Sequence, residues 1–390
     1  MPTVKRGMAM GTPMGDEPGA MGIPQLVLNN TLLINGALFL GLLAIHAGIE
    51  EANRESIPLS LGLLVLAMAL LIKSADFFIE GAKGLAYRAG LPEVVIGLTI
   101  VSIGTSLPEI LVTTTSAADI RFRGADAQFA DFALGGIFGS ILVQITFILG
   151  FVVTFRGVKI RPSWLKRDGL IMLGSILLLT FFLTTGKVLT SVEGLILVLL
   201  YVIYIYWLLS NREEILREEM SDETALERPS NWTTASYIVM VILGLLLALF
   251  AAHHLVEVAS EMAYELNVPH AVVGTTVSGL GTSLPELTIA FMAAKRSEGV
   301  AIGALIGSNI TDPLLSVGLA AMIHPLSLTA AGYPLAMYLI IPATIIGTVV
   351  ALGMMRTQYE FKRWEGIVLI GFYVVFLGLL VAERQGILVL

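Results

Sequence analysis

Stretches of about 20 apolar residues follow one another along almost the whole chain, separated by short polar interruptions. As an α-helix, that length covers the ~30 Å of hydrocarbon in a bilayer. The runs fall near residues 26–49, 58–79, 93–116, 132–154, 168–185, 190–210, 234–256, 269–293, 299–323, 333–354 and 365–382, which predicts eleven membrane-spanning helices. A closed β-barrel would instead show alternating segments of ~10 residues, and none are visible. Most connections are too short to fold separately. The expected fold class is an all-α polytopic membrane protein.

Composition agrees. Of 390 residues, 56% are hydrophobic and 14% charged, where soluble domains carry about 25% charged residues. The basic residues are segregated. With the amino terminus inside, the inner connections hold 17 Lys and Arg and the outer ones 5, with Lys73 inside a span. This bias orients the chain, with its amino terminus and the linker over 211–233 in the cytoplasm and the protein in the cell membrane. No cysteine is present, which excludes disulfides and thiolate metal sites. Nothing resembles a nucleic-acid surface, so the expected surroundings are the lipid bilayer, with no obligate protein partner evident. Residues 1–25, rich in Met, Gly and Pro, read as a flexible tail, and 26–57 as an additional helix and loop. A cleaved signal peptide is the competing reading of that first run. The long stretch ahead of it and the lack of an Ala-x-Ala site favour a retained helix.

The chain also repeats itself. Residues 97–109 read GLTIVSIGTSLPE and residues 274–286 read GTTVSGLGTSLPE, at an offset of 177 that also pairs Glu80 with Glu257 and Pro92 with Pro269. Residues 133–144, ALGGIFGSILVQ, return as AIGALIGSNITD over 301–312, at an offset of 168. Further on, Glu193, Gly194 and Tyr201 return as Glu365, Gly366 and Tyr373, at an offset of 172. The expected units are a first five-helix repeat over 58–210, a linker over 211–233 and a second repeat over 234–390. Five is odd, so the second copy enters the membrane upside down. Inverted repeats suit transporters, where two halves expose a midplane site to each side in turn.

The repeated polar residues point to cations. Pro108 and Pro285 remove a backbone hydrogen bond and kink their helices, which frees carbonyls near Ser102–Gly104 and Gly279–Gly281. Free carbonyls at membrane depth need something to satisfy them. Thr105, Ser106 and Glu109 are spaced to share a face, as are Thr282, Ser283 and Glu286. The next helices add Ser140 with Gln144 and Ser308 with Asp312, and the pairs Gly135/Gly139 and Gly303/Gly307 allow close packing. Hydroxyl, carbonyl and carboxylate oxygens are the hard ligands of Na⁺ and Ca²⁺. An ionised carboxylate in a bilayer costs at least ~2.5–3.5 kcal/mol. Glu109, Glu286 and Asp312 at the midplane therefore call for cationic counter-charge. Two minor features have blander readings: His253 as a packing or loop-edge residue, and the charged run at 212–219 as a solvated helix extension.

Both GTSLPE segments with the glycine- and serine-bearing helices that follow closely resemble the calcium/cation antiporter superfamily, and most of all its prokaryotic sodium/calcium exchangers. The likeness covers about 58–382. It implies a ten-helix core of two inverted five-helix repeats, with the run at 26–49 as one extra N-terminal helix. It further implies a Na⁺/Ca²⁺ antiporter rather than an enzyme, with no cofactor and with Ca²⁺ and Na⁺ as transported ions. By the same resemblance the ion sites are lined by Thr105, Ser106, Glu109, Ser140 and Gln144 from one half and Thr282, Ser283, Glu286, Ser308 and Asp312 from the other. Carbonyls of Ser102 and Gly279 join them. The chain departs from the pattern at Gln144, where the family usually has Asn, at Ile141, where Gly-Ser-Asn is usual, and at Gly136 and Ala304. The linker is too short for the calcium-sensing loop of animal relatives. A calcium/proton antiporter of the same superfamily, whose motif typically reads Gly-Asn-x-x-Glu, remains the second reading. From another class, a cation channel also remains, although a duplicated inverted site suits alternating access better than a continuous pore.

Overall fold

The computed structural model describes residues 19–48, 57–88, 102–156, 158–159, 165–211, 231–293, 298–357, 359–385 and 387. Residues 1–18, 89–101 and 212–230, which hold most of the expected tail, the start of the expected span at 93–116 and the charged linker, lie outside the described residues.

Every expected span has a helical counterpart. A short helix α1 (Ile23–Val27) precedes α2 (Asn30–Gly48), and α3 (Ile57–Arg88) follows. The next span is broken into α4 (Ser102–Thr105) and α5 (Leu107–Ala118). Then α6 (Gln128–Val143) runs through a π-turn at Gln144–Ile148 into α7 (Leu149–Arg156). Helices α8 (Leu170–Gly186) and α9 (Ser191–Ser210) close the first half. In the second half α10 (Thr234–Glu265) leads to α11 (His270–Val273), a π-turn at Gly274–Ser278, α12 (Gly279–Thr282) and α13 (Leu284–Ala293). Helix α14 (Glu298–Thr311) runs through a π-turn at Asp312–Ser316 into α15 (Val317–Ile323). The last are α16 (Gly332–Leu335), which continues through a π-turn into α17 (Ile341–Arg356), and α18 (Arg363–Arg384).

Eight of these helical runs are long and apolar enough to cross a membrane. The runs at 93–116 and 269–293 are interrupted by the breaks before Pro108 and Pro285, and the first run supplies a shorter apolar helix, Asn30–Ile45. Large apolar side chains such as Ile203, Val374 and Val375 are exposed on the outer helices, as a lipid-facing surface requires.

The first helix of each half exceeds expectation. The runs at 58–79 and 234–256 become α3 and α10, each of 32 residues, or about 48 Å at 1.5 Å per residue. Beyond the apolar runs the helices continue through polar positions, Glu80, Lys83 and Arg88 in α3 and Glu257, Glu261 and Glu265 in α10, while inside the first run Lys73 pairs with Asp76 at 3.1 Å on an exposed face. The two helices pack along much of their length, and small residues let them approach. A Cβ on Gly81 would fall 2.8 Å from the Tyr237 carbonyl oxygen, and one on Gly244 2.8 Å from the Phe78 nitrogen. The extra helix α2 lies on α3, where Asn35 Nδ2 donates to the Lys73 carbonyl at 3.1 Å. At the end of the expected tail, Met21 pairs with Trp232 through 2.9 Å hydrogen bonds to Asn231 and Thr233.

The two halves are interleaved with pseudo-twofold regularity. Helix α9 packs on α15 and α18 on α7, so the last helix of each half lies on the middle of the other. Glycines make both crossings. A Cβ on Gly194 would come 2.7 Å from the Gly318 oxygen, and one on Gly150 2.7 Å from the Gly366 oxygen. Two short antiparallel pairings reinforce them: β1 (Val158–Lys159) with β4 (Glu360–Phe361), and β2 (Val188–Leu189) with β3 (Leu326–Ser327). Each pairing joins two connections that the charge count assigns to the same side. The same holds for Arg121 donating to the Ile323 carbonyl, Arg384 donating to the Leu266 carbonyl and Arg88 donating to Thr234.

Candidate cation-binding site

The two broken helices are near copies. The breaks fall at Ser106 (φ −78°, ψ 3°) and Ser283 (φ −85°, ψ 6°). Pro108 and Pro285 stand just beyond, in the first turn of α5 and of α13, so the carbonyls of Gly104 and Gly281 lose their usual amide donor. Helix α3 lies over both breaks, with Ile79 against Gly104 and Met68 against Gly281. The following helix of each half changes to a π-turn at matched positions, beginning at Gln144 and at Asp312. Such single wide turns recur at functional sites because they redirect side chains within a continuous helix. Close packing brings the elements together. Gly139 rests on the Thr275 backbone, and a Cβ on Gly279 would sit 2.8 Å from the Gly139 carbonyl carbon. Gly307 sits against Ser102, whereas a Cβ on Gly303 meets no described atom.

All the sequence-predicted residues are buried, and the structure brings them together. Ser140 is the centre. Its Oγ donates to Glu109 Oε1 at 3.0 Å and lies 2.8 Å from Ser283 Oγ and 3.4 Å from Asp312 Oδ2. Gln144 Nε2 donates to Ser140 Oγ at 2.8 Å and reaches Ser283 Oγ at 3.4 Å. On the other flank, Thr105 Oγ1 lies 3.2 Å from Ser308 Oγ, which is 3.5 Å from Glu286 Oε1. Thr282 faces Glu109, Thr105 faces Glu286 and Ser106 faces Asp312. Each carboxylate therefore has hydroxyl neighbours from the opposite half. A single sequence carries no signal for this exchange, because spacing places Thr105 and Ser106 with Glu109, their own helical neighbour.

Three of the hydroxyl protons, those of Thr105, Thr282 and Ser283, are committed to the backbone. Thr105 donates to the Ser102 carbonyl at 3.1 Å, Thr282 to that of Ser278 at 2.9 Å and Ser283 to that of Gly279 at 2.7 Å. Of the carbonyls expected to be free, that of Ser102 accepts both the Thr105 hydroxyl and the Ser106 amide at 3.2 Å, whereas that of Gly279 accepts the Ser283 hydroxyl. The hydroxyl oxygens, their protons turned away, present lone pairs to the interior. Six polar contacts involve Ser140, Ser283 and Gln144, and these side chains own four protons with which to fill them. Ser106 Oγ, Glu109 Oε2, Gln144 Oε1, Glu286 Oε2 and Asp312 Oδ1 are buried without a hydrogen-bond partner among the described residues. An unmet buried oxygen costs ~1–3 kcal/mol, and more if charged.

The carboxylates do not close on one point. Among the described residues no group of three or more acidic, His or Cys side chains is placed to hold one ion. Hydroxyls stand between them, so the arrangement is a chain of oxygen-rich pockets rather than one acidic cage. Among the described residues the ion pairs lie elsewhere. Lys73 is occupied with Asp76, and Arg123 and His253 with Asp119, at 3.4 and 3.2 Å. His253, within α10, thus contacts Asp119 just beyond α5.

The sequence profile described as sodium/calcium exchanger protein matches residues 59–210 and 236–382. The chain belongs to the sodium/calcium exchanger family. It is 31% identical to the sodium/calcium exchanger MaX1 of Methanosarcina acetivorans over 82% of this chain and 97% of that relative. It is 29% identical to the putative antiporter CaxA of Alkalimonas amylolytica over 79% and 94%. Among solved structures, the sodium-calcium exchanger NCX_Mj is 25% identical with a TM-score of 0.54, covering 83% of this chain and 99% of that one. The H⁺/Ca²⁺ exchanger CAX is 18% identical with a TM-score of 0.67, covering 89% and 87%, a likeness of fold alone. Membership in this family makes the chain a membrane transporter and not an enzyme.

Proposed function

We propose that this chain is a secondary active antiporter that exchanges Na⁺ for Ca²⁺ by alternating access at the site just described. The observation that carries the reading is the set of five buried, unpartnered oxygens beside hydroxyls whose protons already rest on backbone carbonyls. Such a site is short of positive charge and arranged to receive it. Sodium and calcium are hard cations that bind carboxylate, hydroxyl, carbonyl and amide oxygens.

Residue roles follow from the neighbours. Glu109 with Ser140, Thr282 and Ser283 forms one pocket, joined by the Gln144 amide oxygen and the Gly279 carbonyl. Glu286 with Thr105 and Ser308 forms another, joined by the Ser102 carbonyl. Asp312 with Ser106 and Ser140 lies between. Because each pocket draws oxygens from several helices of both halves, a shift of those helices relative to one another dismantles it, and a bound ion opposes that shift. The coupling of ion release to conformational change follows.

The same reading assigns residues 58–210 and 234–390 to the two inverted repeats that share the site and the linker to the cytoplasmic face of the cell membrane. The test is ²²Na⁺ and ⁴⁵Ca²⁺ counterflow with purified protein in proteoliposomes. Calcium uptake should require Na⁺ on the opposite side. Uptake driven by a pH step and indifferent to Na⁺ would replace this reading with calcium/proton exchange.

A further inference from the structure

We infer that Tyr201, on the last helix of the first half, is a positioning residue for Asp312. The inference rests on the assignment of Asp312 as an ion ligand and names what holds that ligand in place.

Tyr201 is 4% exposed, and its hydroxyl lies 3.2 Å from Thr311 Oγ1. The direction of that hydrogen bond is fixed by its surroundings. Thr311 has one hydroxyl proton and gives it to the Gly307 carbonyl at 2.9 Å, so Tyr201 donates and Thr311 accepts. Thr311 is the residue before Asp312 and the last of α14 before the π-turn begins. Helix α9 packs against that turn and against α15 beyond it. The hydrogen bond therefore fastens α14 to a neighbouring helix at the step where its winding changes.

The position matters because a π-turn is locally irregular, and one residue of helical rotation swings a side chain by about 100°. Asp312 has the shortest acidic side chain, and its Oδ2 stands 3.4 Å from Ser140 Oγ. It has little reach with which to correct a misplaced backbone.

The other half supplies an internal control. At the offset of 168 Thr311 corresponds to Val143 and Asp312 to Gln144, and at the offset of 172 Tyr201 corresponds to Tyr373. Valine has no hydroxyl to offer. Tyr373 packs instead against Phe147 and Phe376, at ring centroid distances of 5.8 and 6.2 Å. The tyrosine–threonine hydrogen bond thus accompanies the half whose π-turn begins with an acid, and is absent where a longer, neutral amide stands.

The experiment measures ⁴⁵Ca²⁺ uptake into Na⁺-loaded proteoliposomes containing full-length Y201F, T311A, T311S, the Y201F/T311A double variant, Y373F or D312N. Losing one buried hydrogen bond should raise the calcium KM of Y201F and of T311A by roughly threefold to tenfold. Vmax per folded protein should stay near wild type. The double variant should be no worse than the larger single effect, T311S should restore the KM, and Y373F should match wild type. A wild-type KM in both Y201F and T311A overturns the inference, as does a Y373F shift of equal size or a loss of Vmax alone. Should Y201F fail to reconstitute, T311A against T311S decides the matter. D312N separates the two levels. Wild-type exchange in D312N would remove Asp312 from the site altogether. Loss of exchange in D312N beside a wild-type KM in Y201F would remove only the role of Tyr201.

Discussion

Replacing Ser140 with Ala tests the centre of the site most directly. Its hydroxyl touches Glu109, Ser283, Gln144 and Asp312, at distances from 2.8 to 3.4 Å. Two effects of opposite sign follow. Without an ion, the variant loses the hydrogen bond to Glu109, worth ~1.5–3 kcal/mol for a charged acceptor. With an ion, it loses an oxygen ligand of comparable strength together with the acceptor for Gln144, whose alternative at Ser283 is 3.4 Å away. The first loss raises ion affinity and the second lowers it. The residue of the two is the part that Gln144 can no longer place, and we take it as about 1.4 kcal/mol, or tenfold in Kd. Thermal unfolding in detergent reads that difference without any need for transport. At a Ca²⁺ concentration 100 times the wild-type Kd, bound calcium stabilises wild type by about 2.7 kcal/mol and the variant by about 1.4 kcal/mol. The calcium-induced rise in Tm should therefore be roughly halved in S140A, and the calcium KM in proteoliposomes should rise about tenfold. An unchanged calcium-induced rise together with an unchanged KM would show that no ion rests beside Ser140, and the site reasoning would fail at its centre.

Three other outcomes follow from the same geometry. Glu109→Gln and Glu286→Gln should each abolish Ca²⁺ exchange in a protein that still folds; wild-type flux in both would remove them from the site. Gln144→Asn keeps the amide but shortens its reach by one methylene, so transport should persist with an altered ²²Na⁺ or ⁴⁵Ca²⁺ affinity, and complete loss would count against the placement of its oxygen. Gly150→Ala puts a methyl group 2.7 Å from the Gly366 carbonyl oxygen. That overpacking should cost about 1–3 kcal/mol and lower the Tm while the KM for calcium stays put; an unchanged Tm would mean that the crossing of α7 and α18 is looser than described.

Much of this was legible because a bilayer penalises polar atoms so heavily. A Glu, a Ser or an Asp inside an apolar run has few reasons to be there, and GTSLPE occurring twice removes most of them. The breaks were foreseeable from Pro108 and Pro285, since the missing amide acts locally. Other features had no local signature. The π-turns beginning at Gln144 and Asp312 follow ordinary helical sequence, and only one has a proline in its first turn, Pro313. Pairings as short as Val158–Lys159 with Glu360–Phe361 are too brief for any alternation to register. The full lengths of α3 and α10 were hidden because Glu80 and Glu257, one residue past each apolar run, look like the end of a span to a hydropathy reading. The exchange of hydroxyls between halves depends on how the helices cross, which periodicity within one helix does not encode.

The ties between the halves also restrict how the molecule can open. Glycine contacts and strand pairings rivet α7, α9, α15 and α18 into a frame at both faces of the membrane. A frame fastened at top and bottom resists opening like a pair of jaws. None of those rivets reaches α3 or α10, and α3 bears on both kinks at once through Ile79 and Met68. A travelling rod of that kind, moved along its own length, would loosen one broken helix as it tightened the other, so a single displacement would hand the ions from one side to the opposite one.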